Sequence, residues 1–218
     1  MKTKSVAVAA LAVLILGAAA TAEAASIPYP NSGRENLATY SFTATATGKV
    51  IGYFAGSSAG WDEQVGLMVN GAAPTRFGLD DHSTAIGEAF DFGHVTAGDA
   101  LVFVLQANGN PGKFAYSDPS LNGPYDSRAG AGSNHVYSTP YTDGSLGAGI
   151  PVGTYVAFED LPPSWSDMNY HDDTFVFTNI ATQVSGVPEP AAWTMMILGL
   201  AGLGAALRRR RSMAALAA

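Results

Sequence analysis

The residues best suited to chemistry form an acidic segment in the last third of the chain. Six oxygen-bearing side chains fall within fifteen residues, namely Glu159, Asp160, Asp167, Asn169, Asp172 and Asp173. Clustered carboxylates repel one another unless a cation or a hydrogen-bond donor neutralises them. Hard oxygen ligands suit calcium, which takes about six to eight of them. Two interpretations stay open: a calcium site, or acids that cap turns by accepting hydrogen bonds from backbone amides.

The spacing in this segment differs from that of an EF-hand calcium loop. Asp167 and Asn169 fit the first and third ligand positions of such a loop. Asp172, however, stands where a glycine is needed, and Thr178 stands where a bidentate glutamate is needed. Any calcium site here is therefore of another kind.

Three patterns suggest catalysis, and each is weak. The segment 56–60 reads GSSAG, but strand-like residues follow it where a nucleophile elbow needs a helix. The four histidines lack the spacing of a zinc site. Glu159 and Asp160 are neighbours on a predicted strand, whose side chains alternate between faces, so they are not expected to flank one glycosidic bond.

The chain has no cysteine, which excludes thiol chemistry and disulfides.

Alternating apolar and polar residues indicate the elements that carry these groups. Short strands separated by Gly, Asn and Pro, without helical periodicity, predict an all-β, jelly-roll-like β-sandwich over residues 25–187. The predicted strands are a strand–turn–strand unit over 39–55, then 64–70, 100–107, 151–159 and 174–180.

A glycine-rich segment interrupts the strand pattern. Residues 108–149 contain eight glycines and four prolines with scattered tyrosines. A loop of that length is unusual in a compact domain, so either the segment contains strands that the pattern does not reveal or the loop has a function. Aromatic side chains on sandwich loops can stack on sugar rings, which makes Tyr137 and Trp165 candidate carbohydrate contacts. The alternative is that the tyrosines pack the loop.

Charge narrows the choice of partners. Residues 26–187 carry 5 basic and 16 acidic groups, a net charge of −11. Such a surface repels phosphates, so no nucleic-acid partner is expected.

The N-terminus has the pattern of a secretory signal peptide. Two lysines precede the apolar run 6–20, and Ala22 to Ala24 fits a small-x-small cleavage site. We predict that residues 1–24 direct the chain to the Sec translocon and are removed by signal peptidase.

The C-terminus has a second hydrophobic segment. Residues 191–207 carry no charge, and the segment is long enough for a short transmembrane helix. Arg208 to Arg211 follow it directly. Arginines collect on the cytoplasmic side of a membrane segment, so the body is predicted to lie on the far side of the inner membrane.

The order of features at this end resembles the PEP-CTERM sorting signal in its PEPxxW variant. The residues that carry the resemblance are Pro188, Glu189, Pro190, Trp193, Arg208, Arg209, Arg210 and Arg211. It implies recognition by an exosortase, a membrane protease, in a Gram-negative bacterium that makes extracellular polysaccharide. Residues 212–218 form a short tail beyond the usual pattern.

The end of the middle domain resembles the DUF4114 family over residues 153–180. Asp167, Tyr170 and Asp172 match its acidic turn, while Asn169 and His171 depart from it. The resemblance implies an extracellular β-domain.

These features together predict a non-enzymatic protein, exported across the inner membrane, transiently anchored by its C-terminal helix and then delivered to the envelope or medium. We expect it to be a structural or matrix component in contact with extracellular polysaccharide. A carbohydrate-binding module is the first alternative, and a hydrolase of matrix polymers is the second.

Overall fold

The computed structural model describes residues 26–107, 113–185 and 196–201. The predicted signal peptide, 1–24, lies outside these residues. So do all eight residues of the predicted sorting motif, Pro188, Glu189, Pro190, Trp193 and Arg208 to Arg211, and the tail 212–218.

The first of two antiparallel sheets contains six strands. Its order is β11–β1–β6–β3–β4, with the short β7 also pairing with β6. The strands are β1 (Thr39–Ala44), β3 (Gln64–Val69), β4 (Phe77–Gly78), β6 (Ala100–Gln106), β7 (Phe114–Tyr116) and β11 (Ile180–Ser185).

The second sheet contains five strands in the order β5–β2–β10–β9–β8. They are β2 (Gly48–Ser57), β5 (Ala89–Val95), β8 (Val136–Tyr141), β9 (Gly153–Phe158) and β10 (Asp173–Thr178). β1 and β2, predicted as one strand–turn–strand unit, belong to different sheets, so the turn after Ala44 carries the chain from one layer to the other.

Apolar side chains from the facing sides of both sheets form one core. Phe42, Val65 and Phe103 from the first sheet join Phe175 and Phe177 from the second, all at most 2% exposed. The rings of Phe103 and Phe177 have centroids 4.1 Å apart. This packing confirms the prediction of an all-β sandwich at the level of two antiparallel sheets face to face.

The outer side of the second sheet is also covered. Tyr155 and Val176 pack there with Leu146 and Ile150, which belong to the connection between β8 and β9. The second sheet is therefore covered on both faces, and almost every residue of β9 and β10 is buried.

The glycine-rich segment has more structure than the sequence indicated. It contains β7, a 3-10 turn at Pro119–Leu121 and β8. Asp118 caps that turn by accepting a hydrogen bond from the Ser120 amide at 2.9 Å. The number of strands predicted from the sequence was therefore too low here, because these short strands lie at sheet edges and have little apolar alternation.

Within the predicted transmembrane segment 191–207, the structure describes residues 196–201, which are helical. Met196, Ile197, Leu198 and Leu200 are each more than half exposed there. Among the described residues, none of the helices has the length and apolarity needed to cross a bilayer. The other residues of the predicted span, 191–195 and 202–207, lie outside the described part of the chain.

Candidate functional site

Three carboxylates converge where β9 ends and β10 begins. Glu159 and Asp160 directly follow β9, and Asp172 directly precedes β10. One oxygen from each lies within 4.8 Å of the other two. The Asp160 amide donates to Asp172 Oδ2 at 3.0 Å, which holds the two chain segments together.

The backbone of Asp172 is fixed by two strands. Its amide donates to the Phe158 carbonyl at 3.1 Å, and its own carbonyl accepts hydrogen bonds from Ser58 and Ala59 at 2.9 and 3.2 Å. The carboxylate is therefore positioned by the ends of β9 and β2.

Two further carboxyl groups lie in the core beside this cluster. Asp173, the first residue of β10, is on the same strand face as Phe175 and is fully buried. Glu63 directly precedes β3 of the opposite sheet and is 1% exposed. The side chains of Asp173 and Glu63 are hydrogen-bonded to each other, which two carboxyl groups can do when one of them carries a proton. We call Glu63, Glu159, Asp160, Asp172 and Asp173 the acidic centre.

Burial and mutual repulsion dominate the electrostatics of the acidic centre. Burial, reinforced by the Asp172 charge, raises the pKa of Glu159 to about 8, and the same causes together with Glu63 raise the pKa of Asp160 to about 8. Burial raises the pKa of Asp173 well above its ordinary value. The ion pairs found among the described residues include none between a Lys or Arg and Glu159, Asp160, Asp172 or Asp173. Burial makes a negative charge on these four groups costly, which favours their protonated forms.

The two other predicted ligands are engaged in a local turn. Asp167 accepts hydrogen bonds from the amide and side chain of Asn169 at 3.2 and 2.6 Å. The Asn169 side chain in turn accepts from the His171 amide at 3.0 Å. Glu159 Oε2 accepts the amides of Asn169 and Tyr170, both at 3.2 Å. The turn thus anchors Glu159, while Asp167 and Asn169 act as turn caps.

The expectation that Glu159 and Asp160 point to opposite faces was wrong. β9 ends at Phe158, so both residues lie beyond the regular strand. Their carboxylates consequently turn toward the same point near Asp172.

Glu63 was not predicted from the sequence, because it lies in a distant segment of the chain. The one sequence signal for Glu63 is the alternation that places its side chain on the same strand face as those of Val65 and Leu67.

An aromatic cleft of about 560 Å³ lies beside the acidic centre. Trp61 and Trp165 stand on it, 38% and 77% exposed, and its other aromatic lining residues are Phe114, Tyr116 and Tyr125. The Tyr125 hydroxyl donates to the Asp160 carbonyl, which ties the floor of the cleft to the acidic centre.

The other proposed carbohydrate contact lies elsewhere. Tyr137 is half-buried, and its ring packs against Tyr29 and Tyr155 with centroid separations of 5.3 and 6.4 Å. Trp165 and Tyr137 are therefore not brought together, and Trp61 is the residue that accompanies Trp165.

A second groove, of about 650 Å³, contains the GSSAG segment. Ser58 Oγ lies 2.7 Å from His171 Nδ1 at its edge. The chain around Ser58 is the end of β2 rather than a strand-to-helix turn, and the Ser58 and Ala59 amides are both bonded to the Asp172 carbonyl. Those amides cannot stabilise an oxyanion while they hold that carbonyl.

The remaining histidines are dispersed over the described residues. His135 contacts Asp126 at 3.0 Å with both side chains buried, and His82 contacts Asp81 at 2.9 Å. The Asp81 carboxylate raises the pKa of His82 through their hydrogen bond. Among the described ranges, the group of side chains close enough to hold a metal is carboxylate alone.

The fold and its sites define the described chain as an all-β domain of two antiparallel sheets. The residues that follow β11 show how the chain is sorted, since 186–211 match the PEP-CTERM protein-sorting motif. This motif implies an exported protein that an exosortase sorts at the membrane. No curated protein and no solved structure matches the chain. The DUF4114-like character of residues 153–180 stays a prediction.

Proposed function

We propose that the chain is a non-enzymatic protein of the cell envelope or extracellular matrix. After export through the Sec translocon and removal of residues 1–24, the segment 191–207 holds it in the membrane. An exosortase then cleaves near Pro188 to Pro190 and delivers the β-domain into extracellular polysaccharide. The sorting motif at 186–211 is the observation that carries this proposal.

The position of the motif supports the proposal. β11 pairs with β1 along its full length, from Thr39 opposite Ser185 to Ala44 opposite Ile180. The motif begins at residue 186, immediately after this strand. Cleavage there would leave both sheets intact, so the released product would be the folded domain.

The groove around Ser58 supports a non-enzymatic role. Ser58 and His171 form a hydrogen-bonded pair, but no described carboxylate hydrogen-bonds to the His171 ring to orient it. A serine nucleophile needs such an oriented base and free oxyanion donors. Here the neighbouring amides are occupied by the Asp172 carbonyl.

Deleting residues 188–211 is expected to prevent membrane-associated sorting. In a host that carries an exosortase, the full chain should appear first in the inner membrane and then as a shortened product outside it. The deletion variant should miss the membrane stage and show no processed form. Fractionation, immunoblotting and mass spectrometry of the mature ends provide the measurement.

A variant that lacks only residues 212–218 is the control for this experiment. It retains the whole matched motif, so its sorting should be that of the full chain. Identical localisation of the full chain and of the variant without 188–211 would refute the sorting role.

The aromatic cleft favours carbohydrate binding as a second candidate function. Two tryptophans exposed on one concave surface provide stacking faces for sugar rings, with the polar side chains of Ser127 and Ser164 at the same cleft. Sugar rings present C–H groups on one face and hydroxyl groups at their edges, which suits this combination.

Replacing Trp165 by alanine is expected to weaken binding to the recognised polysaccharide roughly tenfold, the equivalent of about 1.4 kcal/mol. Trp61→Ala should have a similar effect, because both rings line the same cleft. Glycan-array screening followed by calorimetry is the measurement. Val152→Ala, at a site 61% exposed outside the cleft lining, should bind normally. Equal binding by the parent and both tryptophan variants would exclude this cleft as the sugar site.

A further inference from the structure

Aromatic side chains continue from the cleft onto the outer face of the first sheet. Ala115, in the middle of β7, is buried in the core, so its neighbours Phe114 and Tyr116 lie on the opposite, outer face. Both of these neighbours also line the aromatic cleft. The ring of Phe114 stacks on that of Phe77 from β4, with centroids 5.9 Å apart and planes 18° from parallel. Phe77 therefore extends the aromatic surface beyond the cleft.

Strand pairing builds this surface across four strands. Tyr116 of β7 lies opposite Val104 of β6. Gly66 of β3 lies opposite Val104 on one side and opposite Phe77 of β4 on the other. Because residues directly opposite each other share a sheet face, these four form one row, with Tyr116 in the cleft at one end and Phe77 at the other. A Cβ added at Gly66 would lie 2.7 Å from the Phe77 ring, so the ring covers the place where a side chain would stand.

The rings of this row keep part of their surface in contact with solvent. Phe77, Phe114 and Tyr116 are half-buried, and so is Gln106, which lies opposite Phe114 on the same face. Flat apolar rings bordered by an amide match the two sides of a sugar ring, whose C–H groups stack and whose hydroxyl groups form hydrogen bonds. The outer face thus repeats the combination of groups found in the cleft.

Charge narrows the class of ligand. The cleft lining contains two residues with formal charges, Lys113 and Asp126. The Asp126 carboxylate is buried, with Oδ1 3.0 Å from His135 Nε2, and its Oδ2 accepts a hydrogen bond from the Ser133 amide at 2.6 Å. Of the two, Lys113 alone presents its charge to a ligand, on a domain whose net charge of −11 repels polyanions. A glycan without charged groups meets no such repulsion.

We propose that the cleft and the outer-face row form one extended site for several consecutive sugars of an uncharged polysaccharide. Sugar rings stack on the two cleft tryptophans and again on the Phe77–Phe114 pair. This inference rests on the proposed binding of carbohydrate in the aromatic cleft, and it adds a second stacking position and the uncharged character of the chain. A disaccharide occupies one position, whereas a longer oligosaccharide reaches both.

Affinity is expected to rise with the length of a neutral oligosaccharide. The probes are uncharged gluco-, manno- and galacto-oligosaccharides, from disaccharides to hexasaccharides, titrated into the full chain in a calorimeter. The hexasaccharide that binds best should bind at least about tenfold more tightly than its disaccharide, because one ligand then links two stacking contacts. Phe77→Leu retains an apolar side chain over Gly66 but removes the flat ring. It should weaken hexasaccharide binding about tenfold and leave disaccharide binding unchanged.

Salt and acidic sugars test the class of ligand. The affinity for the neutral hexasaccharide should change less than about twofold between low and high salt, because no charged groups pair across the interface. Oligosaccharides of uronic acids of the same length should bind at least about tenfold more weakly at low salt.

Two variants and a measurement of folding serve as controls. Val152→Ala, outside both stacking positions, should bind like the parent, and Trp165→Ala should weaken binding of disaccharide and hexasaccharide alike. Melting temperatures show whether each variant is folded. If Phe77→Leu does not fold, Phe77→Met decides by the same criteria.

The possible failures are distinguishable. Hexasaccharide binding that is weakened in Trp165→Ala but intact in Phe77→Leu would confine the site to the cleft, which overturns the extended site and leaves carbohydrate binding in place. Tighter binding of the uronic acid chains would overturn the uncharged class of ligand. A parent that sediments as a dimer, and as a monomer after Phe77→Leu, would assign the outer face to a second copy of the chain. If the parent binds none of these oligosaccharides, carbohydrate binding itself is refuted and the extended site with it.

Discussion

Phe177→Ala is expected to lower the free energy of unfolding by about 3–5 kcal/mol, one of the largest effects available to a single substitution in this chain. Phe177 is fully buried on the inner face of β10. Its ring lies 4.1 Å from that of Phe103 in the opposite sheet and 5.5 Å from that of Phe92 in its own sheet. Truncation would leave a cavity between the two layers.

The backbone beneath Phe177 is fitted to the ring. A Cβ added at Gly52 would lie 2.7 Å from both Phe177 and Phe92, so the glycine allows these two rings to approach the strand. A small shift of the surrounding residues therefore does not close the cavity, since the strand already touches both rings.

Chemical and thermal unfolding of the metal-free full chain would measure this effect. A loss of this size corresponds to a drop in melting temperature of about 6–20 °C for a chain of this length. Leu37→Ala, at a side chain 78% exposed, should change stability by less than about 0.5 kcal/mol. Equal stabilities for the two variants would contradict a shared core between the sheets.

The sequence identified the strands that contribute most to this core. β1, β2, β3, β6, β9 and β10 all fall within or beside predicted segments, because alternation or continuous apolar character marks buried strands. The strands that it missed are short or lie at edges. β8 forms the edge of the second sheet and contains Pro140. Edge strands tolerate proline, but a proline in the sequence argues against predicting a strand there.

Four of the five residues of the acidic centre could be predicted from the sequence. Glu159, Asp160, Asp172 and Asp173 are close in the sequence and remain close in the fold, because β9 and β10 pair with Phe158 opposite Asp173. Glu63 could not be found from local spacing, since its proximity depends on the packing of one sheet on the other. Asp167 and Asn169 were included because spacing does not distinguish a ligand from a turn cap.

The metal-free chain is expected to be most stable on the acidic side of neutrality. Glu159 and Asp160 have pKa values of about 8 in the folded protein, through burial first and the Asp172 charge second, against about 4 in an unfolded chain. Between these values the folded state binds more protons than the unfolded state. The free energy of unfolding therefore falls as pH rises from about 5 to 8.

Acids with lowered pKa values do not obscure this trend. Asp126 is buried, which opposes ionisation, but hydrogen bonds from His135 and the Ser133 amide lower its pKa overall. The stability that Asp126 contributes is fully present above the pKa of an aspartate in the unfolded chain, near 4. It is lost only as pH falls below that value. The window from pH 5 to 8 thus reports on the acidic centre and on the exposed His82, whose pKa is raised by its hydrogen bond with Asp81 and whose contribution to stability also falls as pH rises.

Calorimetric melting of the full chain in chelator between pH 5 and pH 8 tests this expectation. The melting temperature should decline across the range, and Glu159→Gln should make the decline shallower because it removes one of the groups that takes up a proton on folding. Asp143→Asn, whose carboxyl is fully exposed, should keep the slope of the parent. A melting temperature that rises with pH in the metal-free parent would show that these carboxylates are ionised and solvated in the native state. The acidic centre would then need no cation to balance it, because water would already screen its charge.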